Sequence, residues 1–166
     1  MIVIGVDPGL IKTGYGLVRS DGSSLSYLDS GTIFTDAGTS IGNRLKNIFN
    51  ELNELLILYR PDYFSLEETF VNNNPISSLK LGQARGVALL CAGLNNMEVF
   101  EYKPNTIKKS VTGVGKASKA QVGTMIRYLF PTLDPKTEDE ADALAIAVCH
   151  INNFRGPEFY RGTALS

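Results

Sequence analysis

Three strand-like runs precede the first helical run in this chain, and that order limits the fold more than any other feature. Ile2–Val6, Gly14–Val18 and Leu25–Phe34 carry the apolar and aromatic residues of strands, and short turn signals at Pro8-Gly9 and Asp21-Gly22 separate them. Strands joined so closely pair antiparallel, as a meander. Leu45, Ile48, Phe49, Leu52, Leu55, Leu56 and Tyr59 then recur at helical spacing until Pro61, and Tyr63–Glu67 returns to strand. After the polar break Asn72-Asn73-Asn74-Pro75, a helix is expected over Ile76–Leu94. Its many small residues (Gly82, Ala84, Gly86, Ala88, Ala92, Gly93) imply close packing against another helix. A short strand at Val99–Tyr102, helices over Asn105–Val111 and Ser118–Phe130, and a last helix over Thr137–Asn153 complete the pattern. The fold class is therefore α/β, a mixed sheet flanked by helices. With 166 residues, 43% of them hydrophobic, the chain has material for one sizeable core. A single domain over 1–155 is expected, with a flexible tail over 156–166.

Four carboxylates stand where local pattern calls for apolar side chains or for a turn. Asp7 closes the first strand-like run, sharing a face with Val3 and Gly5, and Gly5 is expected to leave open space beside the carboxylate. Glu67 ends the run Tyr63–Glu67 on the face of Tyr63 and Ser65, with Glu68 as a second choice on the other face. Thr137 followed by Glu140 is a capping box, and acids in a first helical turn suit the helix dipole, so Glu138, Asp139 and Glu140 have an ordinary structural explanation. Asp142 does not, because it lies deeper, inside the apolar run Ala141–Val148, where a charge needs a partner. Asp139 and Asp142, three residues apart on a helix, can point to one place.

Gathering four carboxylates is costly: two unit charges about 4 Å apart repel by roughly 4 kcal/mol at an effective dielectric of about 20. A hard divalent cation removes that penalty. Mg²⁺ favours carboxylate and water oxygens and is commonly shared with a phosphate, and two ions about 3.5–4 Å apart can support phosphodiester hydrolysis. The chemistry that follows is metal-assisted cleavage of a nucleic-acid backbone.

The net charge of −1 hides an uneven distribution. From Tyr102 to Leu133 there is no acid, while Lys103, Lys108, Lys109, Lys116, Lys119 and Arg127 all fall there; from Thr69 to Met97 the only charges are Lys80 and Arg85. Two basic surfaces suited to a polyanion are expected, against the plainer reading of solvated lysines without a partner. No apolar run approaches membrane-span length and no basic leader opens the chain, so a protein without membrane contact is expected. Cys91 and Cys149 lack metal-type spacing and are too few for a disulfide framework, which fits a reducing cytoplasm.

Four motifs occur in an order that resembles one known family. Asp7-Pro-Gly-Leu-Ile-Lys-Thr-Gly-Tyr-Gly16, Pro61-Asp-Tyr-Phe-Ser-Leu-Glu-Glu-Thr-Phe70, Ser78-Leu-Lys-Leu-Gly-Gln-Ala-Arg-Gly-Val87 and Asp139-Glu-Ala-Asp-Ala-Leu-Ala-Ile-Ala147 look like the RuvC family of bacterial crossover junction endodeoxyribonucleases. The resemblance runs from the first strand to about His150. It implies a ribonuclease-H-like fold, a homodimer, two Mg²⁺ or Mn²⁺ ions per site, and symmetric nicking of four-way (Holliday) junction DNA during recombination and repair. Its metal-binding acids fall on Asp7, Glu67, Asp139 and Asp142. It places Lys108 and Lys119 near the scissile phosphate, with Lys119 among the catalytic residues, and Phe70 against junction bases, where any base offers a face for stacking. RuvA- and RuvB-type branch-migration proteins are the partners it implies. His150 matches a family position and is expected to be a packed helix residue rather than a ligand, and the segment after Asn153 departs from the family's tail. Three other readings stand beside it: an actin-like kinase or ATPase, which needs two such domains; a ribonuclease-H-like nuclease acting on RNA; and a catalytically silent DNA-binding dimer.

Overall fold

Five strands pair in the order β3-β2-β1-β4-β5, with β1 at Ile2–Asp7, β2 at Lys12–Ser20, β3 at Leu25–Phe34, β4 at Tyr63–Glu67 and β5 at Val99–Tyr102. The computed structural model describes residues 1–68, 74–133, 135 and 137–154. The meander β1-β2-β3 is antiparallel, whereas β4 and β5 join β1 in parallel, so the sheet is mixed as expected. β2 is longer than the Gly14–Val18 run. It pairs with β3 from Lys12 opposite Phe34 to Ser20 opposite Leu25, and this ladder recruits polar end residues that carry no strand signal of their own.

Helices α1 (Ile41–Tyr59) and α2 (Pro75–Leu94) contribute to the core on one face of the sheet, while α3 (Pro104–Thr112), α4 (Lys119–Leu129) and α5 (Glu138–Asn153) contribute on the other. Local chemistry sets their ends. The Ser40 hydroxyl accepts the Asn43 N–H at the start of α1, and Arg60 at φ 46° closes it before Pro61. Ser118 and Gln121 cap each other's backbone at the start of α4. Period-2 alternation divides the core between the two faces: Val3 packs with Val18, Leu144 and Val148, whereas Ile4 and Val6 pack with Leu17, Leu52 and Phe64. Phe64, fully buried, contributes on the order of 1.5–3 kcal/mol by leaving water.

Two packing expectations are corrected. Gly5 leaves no open space: a Cβ there would lie 2.1 Å from the Ala143 carbonyl oxygen, and Cβ atoms on Gly14 and Gly16 would meet the Asp139 carbonyl oxygen at 2.3 Å and the Leu144 nitrogen at 2.7 Å. This glycine patch on β1 and β2 lets the backbone of α5 lie directly on the sheet, a closeness no side chain permits. On α2 the small residues divide by face. Ala84, Ala88, Cys91 and Ala92 are buried, whereas Gly82, Gly86 and Gly93 have open space where a side chain would stand, so those glycines do not serve helix packing within this chain. The expected tail over 156–166 lies outside the described residues.

Candidate active site

Asp7 is the last residue of β1 and Glu67 the last of β4, and the parallel register that sets Val6 beside Leu66 brings these two strand ends together. Ligands of open α/β sheets gather outside the carboxyl ends of strands. The glycine patch lays the first turns of α5 across this edge, with Asp139 above Gly14 and Asp142 one turn further. A pocket of about 240 Å³ forms there, and Asp7, Glu67, Asp142, Lys108 and Lys119 line it. Asp139 does not line the pocket, yet its charge reaches Asp7.

The electrostatics record how closely the acids crowd. Burial, then the charges of Asp142, Glu67 and Asp139, push the Asp7 carboxyl from an ordinary 3.8 to about 7, with Lys119 opposing the rise. Burial and Asp142 raise Glu67 as well, while Lys119 and Lys108 pull it down. Lys119 donates from Nζ to Asp142 Oδ2 at 2.8 Å, and that bond raises its own pKa. Among the described residues no three carboxylates draw together as a closed metal-ligand group. The acids sense one another's charge but stand apart, as mutually repelling groups do, and among the described residues Lys119 supplies the positive charge bonded to them. Hard oxygen donors around a pocket with unrelieved negative charge have the chemistry that suits Mg²⁺ or Mn²⁺.

The Lys119–Asp142 pair carries no local sequence signal, because the partners are 23 residues apart and stand on two different helices. Glu140 also differs from a simple capping residue. Thr137 Oγ1 accepts the Glu140 N–H at 3.2 Å as expected, but Glu140 is buried and its carboxylate accepts from Ser30 Oγ of β3 at 3.4 Å, tying the start of α5 to the meander. His150 is a packed residue: its ring is fully buried among Tyr63, Phe100 and Phe154, and Tyr102 Oη lies 2.9 Å from its Nδ1. Phe70 lies outside the described residues. No helix among the described residues is long and apolar enough to cross a membrane.

Known proteins resemble this chain over nearly its whole length. The sequence profile of crossover junction endodeoxyribonuclease RuvC matches residues 3–150. The protein of that name from Azorhizobium caulinodans is 47% identical over 163 residues, covering 98% of this chain and 96% of its own. The corresponding protein of Allorhizobium ampelinum is 43% identical over 162 residues, with coverage of 98% and 96%. Among solved structures, T. thermophilus RuvC in complex with Holliday junction substrate superposes with a TM-score of 0.86 at 31% identity, covering 91% of this chain and 93% of that one. A ribonuclease-H-like sheet whose acidic pocket opens at the ends of β1 and β4 accords with that likeness, and the chain belongs to the RuvC family of crossover junction endodeoxyribonucleases.

Proposed function

We propose that this protein is a metal-dependent endonuclease that resolves Holliday junctions by nicking two opposed DNA strands symmetrically, in the cytoplasm and as a homodimer. The observation that carries the reading is the pocket in which Asp7, Glu67 and Asp142 face Lys108 and Lys119. In this reading Asp7, Glu67, Asp139 and Asp142 hold two Mg²⁺ ions, with Mn²⁺ as a substitute, and the bound metal supplies an activated water and charge neutralisation at the phosphate. The remaining work falls to the chain itself. Asp7, whose carboxyl is raised to about 7 by burial and its acidic neighbours, would serve as a ligand in its deprotonated form. Lys119, relieved of Asp142, has its ammonium free for a phosphate oxygen, and Lys108 faces the same pocket. Phe70 is assigned to stacking on a junction base.

The homodimer rests on α2. Leu79, Leu90 and Leu94 are all more than half exposed and share one side of the helix with the open glycines Gly82, Gly86 and Gly93. Such an apolar stripe with small residues suits a second copy of the same helix across a two-fold axis, and two equivalent sites then face two equivalent strands. RuvA- and RuvB-type proteins are the further partners that family membership implies.

A cleavage assay tests the function. With Mg²⁺ the protein should nick a mobile four-way junction in opposed strands and leave linear duplex and RNA–DNA hybrid largely intact. Equal cutting of duplex refutes junction selectivity, preference for the hybrid favours the RNA-acting reading, and undiminished cutting in excess chelator refutes metal dependence.

A further inference from the structure

The basic charge that the sequence places between Thr69 and Met97 is not used by the acidic pocket. Arg85 is engaged by Glu101, which leaves Lys80 without an acidic partner among the described residues. Lys80 lines a trough of about 410 Å³ on the side of the sheet edge that faces α2. Its walls are Leu10, Ile11 and Leu81, its polar groups are Lys12, Ser77 and Lys80, and no carboxylate among the described residues lines it. The volume falls within the range of about 300–1,000 Å³ typical of sites for small organic groups.

One wall is rigidly built. Thr13 Oγ1 donates to the Gly9 carbonyl at 2.8 Å and accepts the Gly9 N–H at 3.3 Å. Arg44 Nη2 and the Thr35 hydroxyl both donate to the Leu10 carbonyl, and the Thr35 N–H donates to the Ile11 carbonyl at 3.1 Å. These bonds lock a turn that begins right after Asp7, so the trough and the acidic pocket flank one short stretch of backbone. Despite this order, Ile11 keeps 61% of its surface exposed. Lys12 holds its ammonium 5.9 Å from the centre of the Phe34 ring, without a carboxylate in reach among the described residues.

An apolar floor between two unneutralised lysines matches a nucleotide: a planar base against the aliphatic wall and phosphates against the ammonium groups. Resting on the junction reading above, we propose that this trough is a second DNA subsite, which takes an unstacked nucleotide of the junction beside the strand being cut. A base held here gives the enzyme a position at which to discriminate between sequences.

The chain contains no tryptophan, so Ile11→Trp at this exposed position installs a unique reporter. In the full chain carrying Asp7→Asn as well, so that the junction stays intact, indole emission is followed while a four-way junction is added and its binding is tracked by anisotropy. Stacking should quench the emission at saturation, and linear duplex of the same sequence should leave it nearly unchanged. In a separate protein, Lys12→Gln with Lys80→Gln should lower the slope of log affinity against log salt by about 0.9 per lysine, a readout that stands even if the indole disturbs the turn. Saturated binding with unchanged emission, or an unchanged salt slope, overturns the subsite. Failure to bind any junction overturns the functional reading along with it.

Discussion

Lys119 and Asp142 meet at 2.8 Å across two helices, and through this contact the first turn of α4 supplies the positive charge bonded to the acid cluster. The pair is unequal in exposure, since the Lys119 side chain is 64% exposed and that of Asp142 only 21%. An ion pair so open to water adds little stability, about 0–1 kcal/mol. Its importance lies in the field it sets for its neighbours.

Lys119→Gln should therefore leave the melting temperature almost unchanged and act on charge instead. Because Lys119 holds down the pKa values of both Asp7 and Glu67, its loss should move the Asp7 carboxyl above about 7, as read by carboxyl carbon NMR in the metal-free protein. Junction cleavage should fall by about 10²- to 10³-fold, the usual cost of removing a donor aimed at developing charge. An unmoved Asp7 titration would show that the lysine does not act on the cluster.

Asp7→Asn carries the opposite sign. A carboxyl raised from 3.8 to about 7 on folding favours its protonated form in the native state. The penalty for ionising it is absent below about pH 3.8, grows as pH rises, and is complete above about pH 7. At about 1.4 kcal/mol per pKa unit it has an upper bound of about 4 kcal/mol. Asp7→Asn should thus abolish cleavage, match the wild type in stability near pH 4, exceed it at pH 8 without metal, and gain less from added Mg²⁺. Glu140→Gln is the control: weakening the tie to Ser30 at 3.4 Å should cost stability and spare catalysis. Thermal melts with and without Mg²⁺, run beside a junction assay, separate the two.

Local signals made much of this site legible. Asp7 and Glu67 stand at the ends of strands whose alternation is plain in the sequence, and β4 and β5 begin and end where pattern places them. Asp142 was legible for a different reason, as a charge inside an apolar helix. What pattern does not carry is the approach of one element to another. The contact of α5 with Gly5, Gly14 and Gly16 joins segments about 130 residues apart and depends on the absence of side chains, which reads equally well as open space. The outward turn of Gly82, Gly86 and Gly93 is a similar case. A small residue looks the same in a sequence whether it meets a helix within the chain or faces outward.

That outward face makes a separable prediction. Leu90→Glu places a charge on the exposed stripe of α2, where 56% of the leucine is accessible, and should yield a folded monomer with nearly wild-type melting at low concentration. Ala88→Leu, two positions away on a fully buried site, should instead overpack the core and cost about 1–3 kcal/mol. Light scattering combined with thermal melts distinguishes them. A Leu90→Glu protein that stays dimeric would move the interface off α2.

The last prediction concerns acid. Burial in the cage of Tyr63, Phe100 and Phe154 lowers the His150 imidazole from 6.5 to about 4, so the folded protein keeps it neutral. A histidine depressed on folding gives stability that is full above about pH 6.5 and is lost as pH falls toward 4, because the unfolded chain takes up the proton first. The loss is on the order of 3 kcal/mol. His150 Nε2 has no partner among the described residues, so the ring already carries an unsatisfied polar group at neutral pH. His150→Phe removes both liabilities and strands the Tyr102 hydroxyl, which lies 2.9 Å from Nδ1. At pH 7.5 the gain and the loss should nearly cancel, whereas at pH 4.5 the variant should unfold at higher urea than the wild type. Asp7 titrates in the same interval with the opposite slope, so the measurement is made as the difference between His150→Phe and wild type at each pH, in which the Asp7 contribution drops out. A urea midpoint difference that stays constant from pH 7.5 to 4.5 would mean that His150 does not gain its proton on unfolding.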